Sequence, residues 1–300
     1  MRAVLYSFFT SNGRWFNPEA KKPTVGTKDS VVVQVKAAGI NPVDYKLPAL
    51  FMQGKGVGLD VAGVVTAVSP DVTTLSVGDH VFGSTNGSLA EHALCQASKL
   101  TLLPASLSFV EGAALPTTYI TGYQALVNHG FKAGQSLLIL GASGGCGTAA
   151  IQLAKGLGAR EIVGVCSKAN EELVLSLGAD RIIDYKTQSI TDPDGGGEDY
   201  LVDSQTVLNE KGTYVAINGK ISLWLRHFLG MGQFRPNVHL LLADPKSVDF
   251  KAVADILEAQ KVKPIIDSVF PFTPEGVEDA FAKLHSRRAK GKIVVNVSAE

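Results

Sequence analysis

Ser136-Leu-Leu-Ile-Leu-Gly-Ala-Ser-Gly-Gly-Cys-Gly147 is the stretch on which the reading of this 300-residue chain turns. Residues 137–140 form an uninterrupted apolar run of the length of a buried strand. Gly141, Gly144, Gly145 and Gly147 interrupt it, and Ala150, Leu153, Ala154 and Leu157 then recur at helical spacing. Strand, tight turn and helix start together make an anion cradle. Glycines let the backbone approach a pyrophosphate, and the unpaired N–H groups and dipole of the helix N-terminus favour its charge. Against G-x-G-x-x-G the match is Ala142-x-Gly144-x-x-Gly147, with Gly141 just before it, and the expected ligand is a dinucleotide. An ordinary strand-to-helix connection is the alternative for the turn alone; the flanking strand and helix weigh against it.

Composition narrows the class. With 45% hydrophobic and 19% charged residues the chain belongs with globular proteins and is long enough for two domains. Lys plus Arg and Asp plus Glu balance at 28 each, so no global basic field points to nucleic acid, and small-molecule partners are expected. No apolar run approaches the roughly 20 residues of a membrane helix. The start, Met1-Arg-Ala-Val-Leu-Tyr6, reads as a short strand without a secretory h-region, which predicts an intracellular protein, cytoplasmic or in a plastid or other organelle without a cleaved signal. Cys95, Cys146 and Cys166 are widely spaced in apolar or glycine-rich segments, fitting reduced thiols better than disulfides, and no cysteine or histidine spacing suits a metal, so none is expected.

Along the chain, residues 3–6, 30–38, 60–68, 80–82 and 89–95 carry β signals between Gly, Pro, Asn and Asp punctuation, predicting a mostly antiparallel first domain. From Leu107 the spacing becomes helical. The Leu115-Pro116 step separates two helices and places a domain junction near Pro116. Apolar runs then alternate with helices: 137–140, 161–166, 181–184, 200–202, 214–217 and 237–243. That alternation predicts a parallel, doubly wound sheet. Asp192-Pro-Asp-Gly-Gly-Gly197 reads as a surface loop, 248–258 as a helix, and 264–270, 275–284 and 292–297 as strand, helix and strand.

A site preferring NAD places Asp or Glu at the end of the second strand, about 20 residues past the glycines. Here that place holds Cys166-Ser167-Lys168. A lysine and a hydroxyl suit a 2′-phosphate, and a carboxylate would repel it, so NADPH is the expected cofactor. The alternative for Lys168 is a solvated lysine at a helix start.

Taken together, Ala38-Gly-Ile-Asn-Pro-Val-Asp44, Gly58-Leu-Asp-Val-Ala-Gly-Val-Val65, Val77-Gly-Asp-His-Val-Phe-Gly83, Ala113-Ala-Leu-Pro116 with Thr121, the 141–147 turn and Leu177-Gly-Ala-Asp180 resemble, in this order, the quinone oxidoreductase branch of the medium-chain dehydrogenases/reductases. The tail, Lys261-Val-Lys-Pro-Ile-Ile-Asp267 and Gly291-Lys-Ile-Val-Val295, is similar to the plant chloroplast-envelope members of that branch. The resemblance implies an α/β chain with a GroES-like, β-rich catalytic domain over 1–116 and 265–300 and a Rossmann domain over 117–264. It implies a zinc-independent enzyme, because zinc-dependent relatives carry a cysteine after the strand near Gly39 and Gly-His-Glu where this chain has Gly58-Leu59-Asp60.

The activity implied is hydride transfer from NADPH to a quinone or to the activated C=C bond of an α,β-unsaturated carbonyl. The alternatives are an enoyl-thioester reductase, or an NADPH-binding member with a structural or regulatory role. The resemblance makes Asn41 and Thr121 neighbours of the nicotinamide, and Ser143, Gly144, Gly145, Cys146 and Gly147 the pyrophosphate cradle. Ser167, Lys168 and Tyr185 form the phosphate end, with Asn218 and Lys292 as further cofactor contacts. Tyr45, with Asn41, is the catalytic candidate: its hydroxyl faces the substrate as a hydrogen-bond or proton donor, or its ring packs as wall. Asp44 is either an active-site carboxylate or a turn residue. The aliphatic run Asn237-Val-His-Leu-Leu-Leu-Ala243 is an interior strand or, as in the family, the strand through which a homodimer forms. Two departures touch the substrate pocket: a short linker between Asp44 and Gly58, and a 199–209 region that has lost much of a strand-loop-helix unit.

Overall fold

Val31, Val33 and Val35 are fully buried on the 11-residue strand Ser30–Ile40, the spine about which the first half of the protein is built. The computed structural model describes residues 1–26, 28–47, 49–188, 208–209, 211–217 and 238–298. Two compact units emerge, Met1–Ile120 with Pro245–Glu300, and Thr121–Asp244.

In the first unit Ser30–Ile40 pairs antiparallel along one edge with Asp60–Val68. Along its other edge the first half pairs with His92–Leu102 and the second half with Lys292–Asn296. His80–Thr85 bridges Asp60–Val68 to His92–Leu102, so four strands close into a barrel, as β-branched residues facing a shared core require. Ile266–Pro271 extends the sheet in parallel with Lys292–Asn296. The crossover between those two is the helix Pro274–His285, capped by Thr273 on the Gly276 N–H and burying Val277, Ala280 and Phe281. A short hairpin of Ala3–Tyr6 and Arg14–Asn17 completes this unit. The strand Arg14–Asn17 has no alternation in its sequence and was not foreseen. Arg14, 8% exposed, lies over the Phe281 ring and is held by Glu278 at 2.6 Å.

The helices before the junction follow local rules. Ser108 and Glu111 form a capping box at the start of Phe109–Ala113, and Pro116 opens the next helix, Pro116–Val127. The division between units falls inside that helix, after Ile120. The chain returns to the first unit at Pro245 rather than at the expected 265. The reason is the helix Ser247–Gln260, which buries Phe250, Val253 and Leu257, with the Phe250 ring 5.7 Å from Phe82. Lys263 and Glu111 pair at 2.9 Å in the same region.

The second unit carries the parallel strands Ser136–Leu140, Glu161–Cys166 and Arg181–Asp184 in that order, and a parallel pair, Tyr214–Ala216 with Val238–Leu240. Of the face predicted from its spacing, the helix Gly145–Gly156 buries Leu153 and Ala154, whereas Ala150 and Leu157 are half-buried and Ile151, outside that set, is buried. The expected strand at 200–202, the loop at 192–197 and nearly all of the shortened 199–209 region lie outside the described residues. So does Asn237, the first residue of the proposed dimer strand. Among the described residues no helix is long and apolar enough to cross a membrane.

Candidate active site

The glycine turn is built as its sequence demands. Gly144 caps the helix Gly145–Gly156, and Gly141 takes a left-handed backbone with φ +68°. A side chain on Gly147 would meet the Gly141 carbonyl oxygen at 2.2 Å and Ala142 Cα at 2.6 Å, so only glycine lets the helix start this close to the turn. Ser143, Gly144, Gly145, Cys146 and Gly147 therefore lie together at the N-terminus of a three-turn helix, whose dipole favours an anion, with the Gly144 N–H donating to the Gly141 carbonyl at 3.0 Å to close the turn. This cradle fits the pyrophosphate of a dinucleotide. Ser143 Oγ accepts a hydrogen bond from Asn170 Nδ2 at 3.0 Å, tying the turn to the segment after the second strand. Asn170 was not singled out from the sequence, and its short polar side chain just past Ser167-Lys168 was the available signal.

Parallel register brings the second group of candidates together. Leu140 pairs with Val165, and Cys166 with Asp184, so Gly141, Ser167 and Tyr185 all leave the same C-terminal edge of three neighbouring strands. Ligands of open α/β sheets bind at that edge. Ser167 is half-buried, Tyr185 is 50% exposed and donates its N–H to the Cys166 carbonyl, and no acid follows Cys166. Lys168 extends into solvent and pairs with Glu171 at 2.6 Å. Thr121 is buried on the helix Pro116–Val127. Asn218 lies outside the described residues.

In the first unit, three adjacent strand ends converge. Gly39 pairs with Asp60 and Ile40 with Ile293, which sets Asn41, Asp60 and Lys292 side by side. Their exposures are 3%, 0% and 4%. Lys292 Nζ donates to Asp60 Oδ2 at 2.6 Å and to Asn41 Oδ1, and Asn41 Nδ2 donates to Asp60 Oδ2 at 2.9 Å. The other oxygen, Asp60 Oδ1, accepts from the Thr117 N–H at 3.0 Å and the Thr117 hydroxyl at 2.5 Å, capping the helix that follows. Four donors thus serve a carboxylate that has lost all solvent, which is what a buried charge requires. Asp60 and Thr117 were not named as site residues. The signal was present: Asp60 and Lys292, opposite in sign, each open a mainly apolar strand.

Asp44 lies beside this group. Its Oδ2 accepts the Asn41 N–H at 2.7 Å, and its Oδ1 has no partner among the described residues. Burial, reinforced by the Asp60 charge, raises its carboxyl to about 7. Burial and the charge of Asp44 push the Tyr6 phenol up as well. Tyr45 follows on the short helix Val43–Lys46, its ring 4.0 Å from that of His285, and its hydroxyl makes no hydrogen bond among the described residues. His285 is a further neighbour that the sequence did not single out.

Cys95, Cys146 and Cys166 are joined in no disulfide among the described residues, and burial drives the Cys95 thiol up to about 12. Among the described residues no three His, Cys, Asp or Glu side chains gather as a metal site.

Two domain families match the chain: "Alcohol dehydrogenase GroES-like domain" over residues 27–114 and "Zinc-binding dehydrogenase" over 177–295. A 2-methylene-furan-3-one reductase of Solanum lycopersicum is 34% identical over 302 residues, covering 90% of this chain and 72% of that protein. A chloroplastic NADPH-dependent alkenal/one oxidoreductase of Arabidopsis thaliana is also 34% identical, over 89% of this chain and 72% of its own. The solved structure of the quinone oxidoreductase from Coxiella burnetii superposes with a TM-score of 0.85 at 25% identity, covering 99% of both chains. With its barrel, its glycine turn and its relatives agreeing along the length of the chain, this protein belongs to the medium-chain dehydrogenase/reductase superfamily of oxidoreductases, in the branch of the quinone and alkenal oxidoreductases.

Proposed function

We propose that the chain is a zinc-independent reductase that uses NADPH to reduce quinones or the activated C=C bond of α,β-unsaturated carbonyls. The observation that carries the reading is the Asp60 carboxylate. It stands where zinc-dependent relatives have Gly-His-Glu, yet Thr117, Asn41 and Lys292 already take its acceptor positions. Bound NADPH supplies a hydride from its nicotinamide ring, to a quinone or to the β-carbon of an enone.

The chain's own residues bind, orient and protonate. Ser143, Gly144, Gly145, Cys146 and Gly147 form the turn that holds the pyrophosphate at the helix N-terminus. Ser167, Lys168 and Tyr185 hold the 2′-phosphate, with Asn218 and Lys292 as further contacts. The Lys168–Glu171 pair is exposed and worth at most about 1 kcal/mol, so a 2′-phosphate displaces Glu171 at little cost. Asn41 and Thr121 orient the nicotinamide. Tyr45, whose hydroxyl makes no hydrogen bond among the described residues, donates a hydrogen bond to the acceptor's carbonyl oxygen or a proton to its α-carbon.

A homodimer through 237–243 belongs to the same proposal. Val238–Leu240 pairs on one side with Tyr214–Ala216, and Leu242 is 82% exposed. Light scattering at micromolar concentration tests it, and a monomeric mass removes it. The compartment read from the sequence, cytoplasm or plastid, is tested by fractionation of the native protein.

The experiment for the activity follows loss of reduced-nicotinamide absorbance with NADPH and NADH against quinones, short enones, alkenals and enoyl thioesters. Turnover of quinones or enones with NADPH preferred is expected, and turnover of enoyl thioesters alone makes the chain an enoyl reductase. Tight NADPH binding with no turnover of any acceptor overturns the enzymatic reading. Tyr45→Phe at full turnover of an enone removes Tyr45 as proton donor.

A further inference from the structure

Asn170 stands at the N-cap of the helix Glu171–Ser176, where an asparagine side chain ordinarily accepts an N–H of the first turn. It makes no such bond. Its Nδ2 instead donates to Ser143 Oγ at 3.0 Å, its one side-chain hydrogen bond among the described residues. Glu171 and Glu172, in the first turn, meet the helix dipole in its place. A residue that leaves its local acceptor role for a partner 27 positions away serves the glycine turn rather than its own helix.

The chemistry of a hydroxyl shows what the turn gains. Serine carries one hydrogen and two lone pairs. Because Ser143 Oγ accepts from Asn170, its own hydrogen cannot go back to that partner, and among the described residues it goes to no acceptor. We propose that Asn170 is a positioning residue for the pyrophosphate end of the dinucleotide, acting through Ser143, whose hydroxyl it fixes as a hydrogen-bond donor to a phosphate oxygen. The inference rests on the reading of the glycine turn as a cofactor cradle, and its residues all belong to the unit Thr121–Asp244.

The surroundings support it. The turn is tied to the segment of the second parallel strand at two points: the Ala142 N–H donates to the Val165 carbonyl at 3.0 Å, and Asn170 donates to Ser143, the next residue of the turn. The first tie fixes the backbone and the second fixes the side chain. Ser143 and Asn170 are both half-buried, so their bond is partly shielded from water while neither residue is closed to a ligand. A hydrogen bond to a charged phosphate is stronger than one between neutral groups, and a donor already oriented needs no ordering when the anion arrives.

The test reads binding and unliganded stability. Isothermal titration with NADPH and with adenosine 2′-monophosphate, which carries the 2′-phosphate and lacks the pyrophosphate, separates the two phosphate sites. Asn170→Ala is expected to lose about tenfold in NADPH affinity and to keep its affinity for adenosine 2′-monophosphate. Ser143→Ala should lose at least as much, and adding Asn170→Ala to it should lose nothing further, because residues acting through one another are not additive. The melting temperature of the unliganded Asn170→Ala protein should change little, since the side chain it removes caps no helix.

A second loss of similar size in the double variant would make Asn170 a direct contact of the cofactor. Parallel loss of adenosine 2′-monophosphate affinity, or a large fall in melting temperature, would make it a brace of the fold. Each of these, or unchanged NADPH affinity in either single variant, overturns the inference and leaves the function reading intact. A native protein that binds neither ligand overturns the function reading, and the inference with it.

Discussion

Lys292 Nζ lies 2.6 Å from Asp60 Oδ2, with the two side chains 4% and 0% exposed. A buried ion pair is a poor source of net stability, because desolvation of both ions offsets their attraction, but breaking it by removing one partner is costly. Lys292→Met or Asp60→Asn alone should therefore destabilise by about 3–5 kcal/mol, whereas the two together should come close to the native value. Denaturant unfolding of the three variants checks this. A single variant as stable as the native protein would mean that the pair is not closed off from water.

Asp44 gives stability a pH dependence of unusual sign. Its carboxyl moves from 3.8 to about 7 on folding, first because it is buried and second because Asp60 is near. Between those values the folded state holds a proton that the unfolded chain has released. Its stabilisation is complete below pH 3.8, falls as pH rises, and is gone above about 7. His92, whose imidazole burial lowers, works in the opposite sense near neutrality. The comparison is therefore with Asp44→Asn: between pH 5 and 7.5 the native protein should lose stability relative to that variant by an amount on the order of a few kcal/mol. Parallel stability curves for the two proteins would show that Asp44 ionises in the folded state as easily as in the unfolded one.

The glycine turn makes two different predictions at two glycines. At Gly147 an added methyl meets backbone atoms, the Gly141 oxygen at 2.2 Å and Ala142 Cα at 2.6 Å, so Gly147→Ala should cost about 1–3 kcal/mol in stability and weaken dinucleotide binding. At Gly144 the nearest atom stands at 3.5 Å, an ordinary contact. Gly144→Ala should leave the melting temperature nearly unchanged and lower NADPH affinity, because the methyl then stands where the pyrophosphate approaches. Unchanged affinity in Gly144→Ala would place the phosphates elsewhere.

Lys168 and Glu171 pair at 2.6 Å on the surface, beside the end of the second parallel strand. If Lys168 receives the 2′-phosphate, Glu171 competes for it and repels the same phosphate. Glu171→Gln should raise the ratio of NADPH to NADH affinity, and Lys168→Ala should lower it, each by about threefold to tenfold at low salt and less at high salt. Ratios that move in neither variant would assign the 2′-phosphate to other residues.

Much of this architecture was legible because it is local. The run 137–140, the glycines after it and the apolar spacing beyond specify the strand Ser136–Leu140, the turn and the helix Gly145–Gly156 without any distant contact. Pro116 marks a helix start for the same reason, its ring setting the backbone by itself. The strand Asp60–Val68 has the ends its sequence suggested. Arg14–Asn17 escaped because its four residues carry no period, and its pairing comes only from Ala3–Tyr6.

By itself, then, the sequence determined the succession of strands and helices, the phosphate turn and, through motifs in register, the superfamily. Tertiary structure alone decided that the helix Ser247–Gln260 belongs with the barrel, because Phe250 finds Phe82 there. It alone decided that Asn170 braces the turn at Ser143, 27 positions away. It also decided the partner of Lys292, a charge 232 positions earlier in the chain. Hydrophobic period and glycine placement act within a few residues, whereas a buried charge finds its counterion through the order of strands in a closed sheet. Strand order is a property of the whole fold.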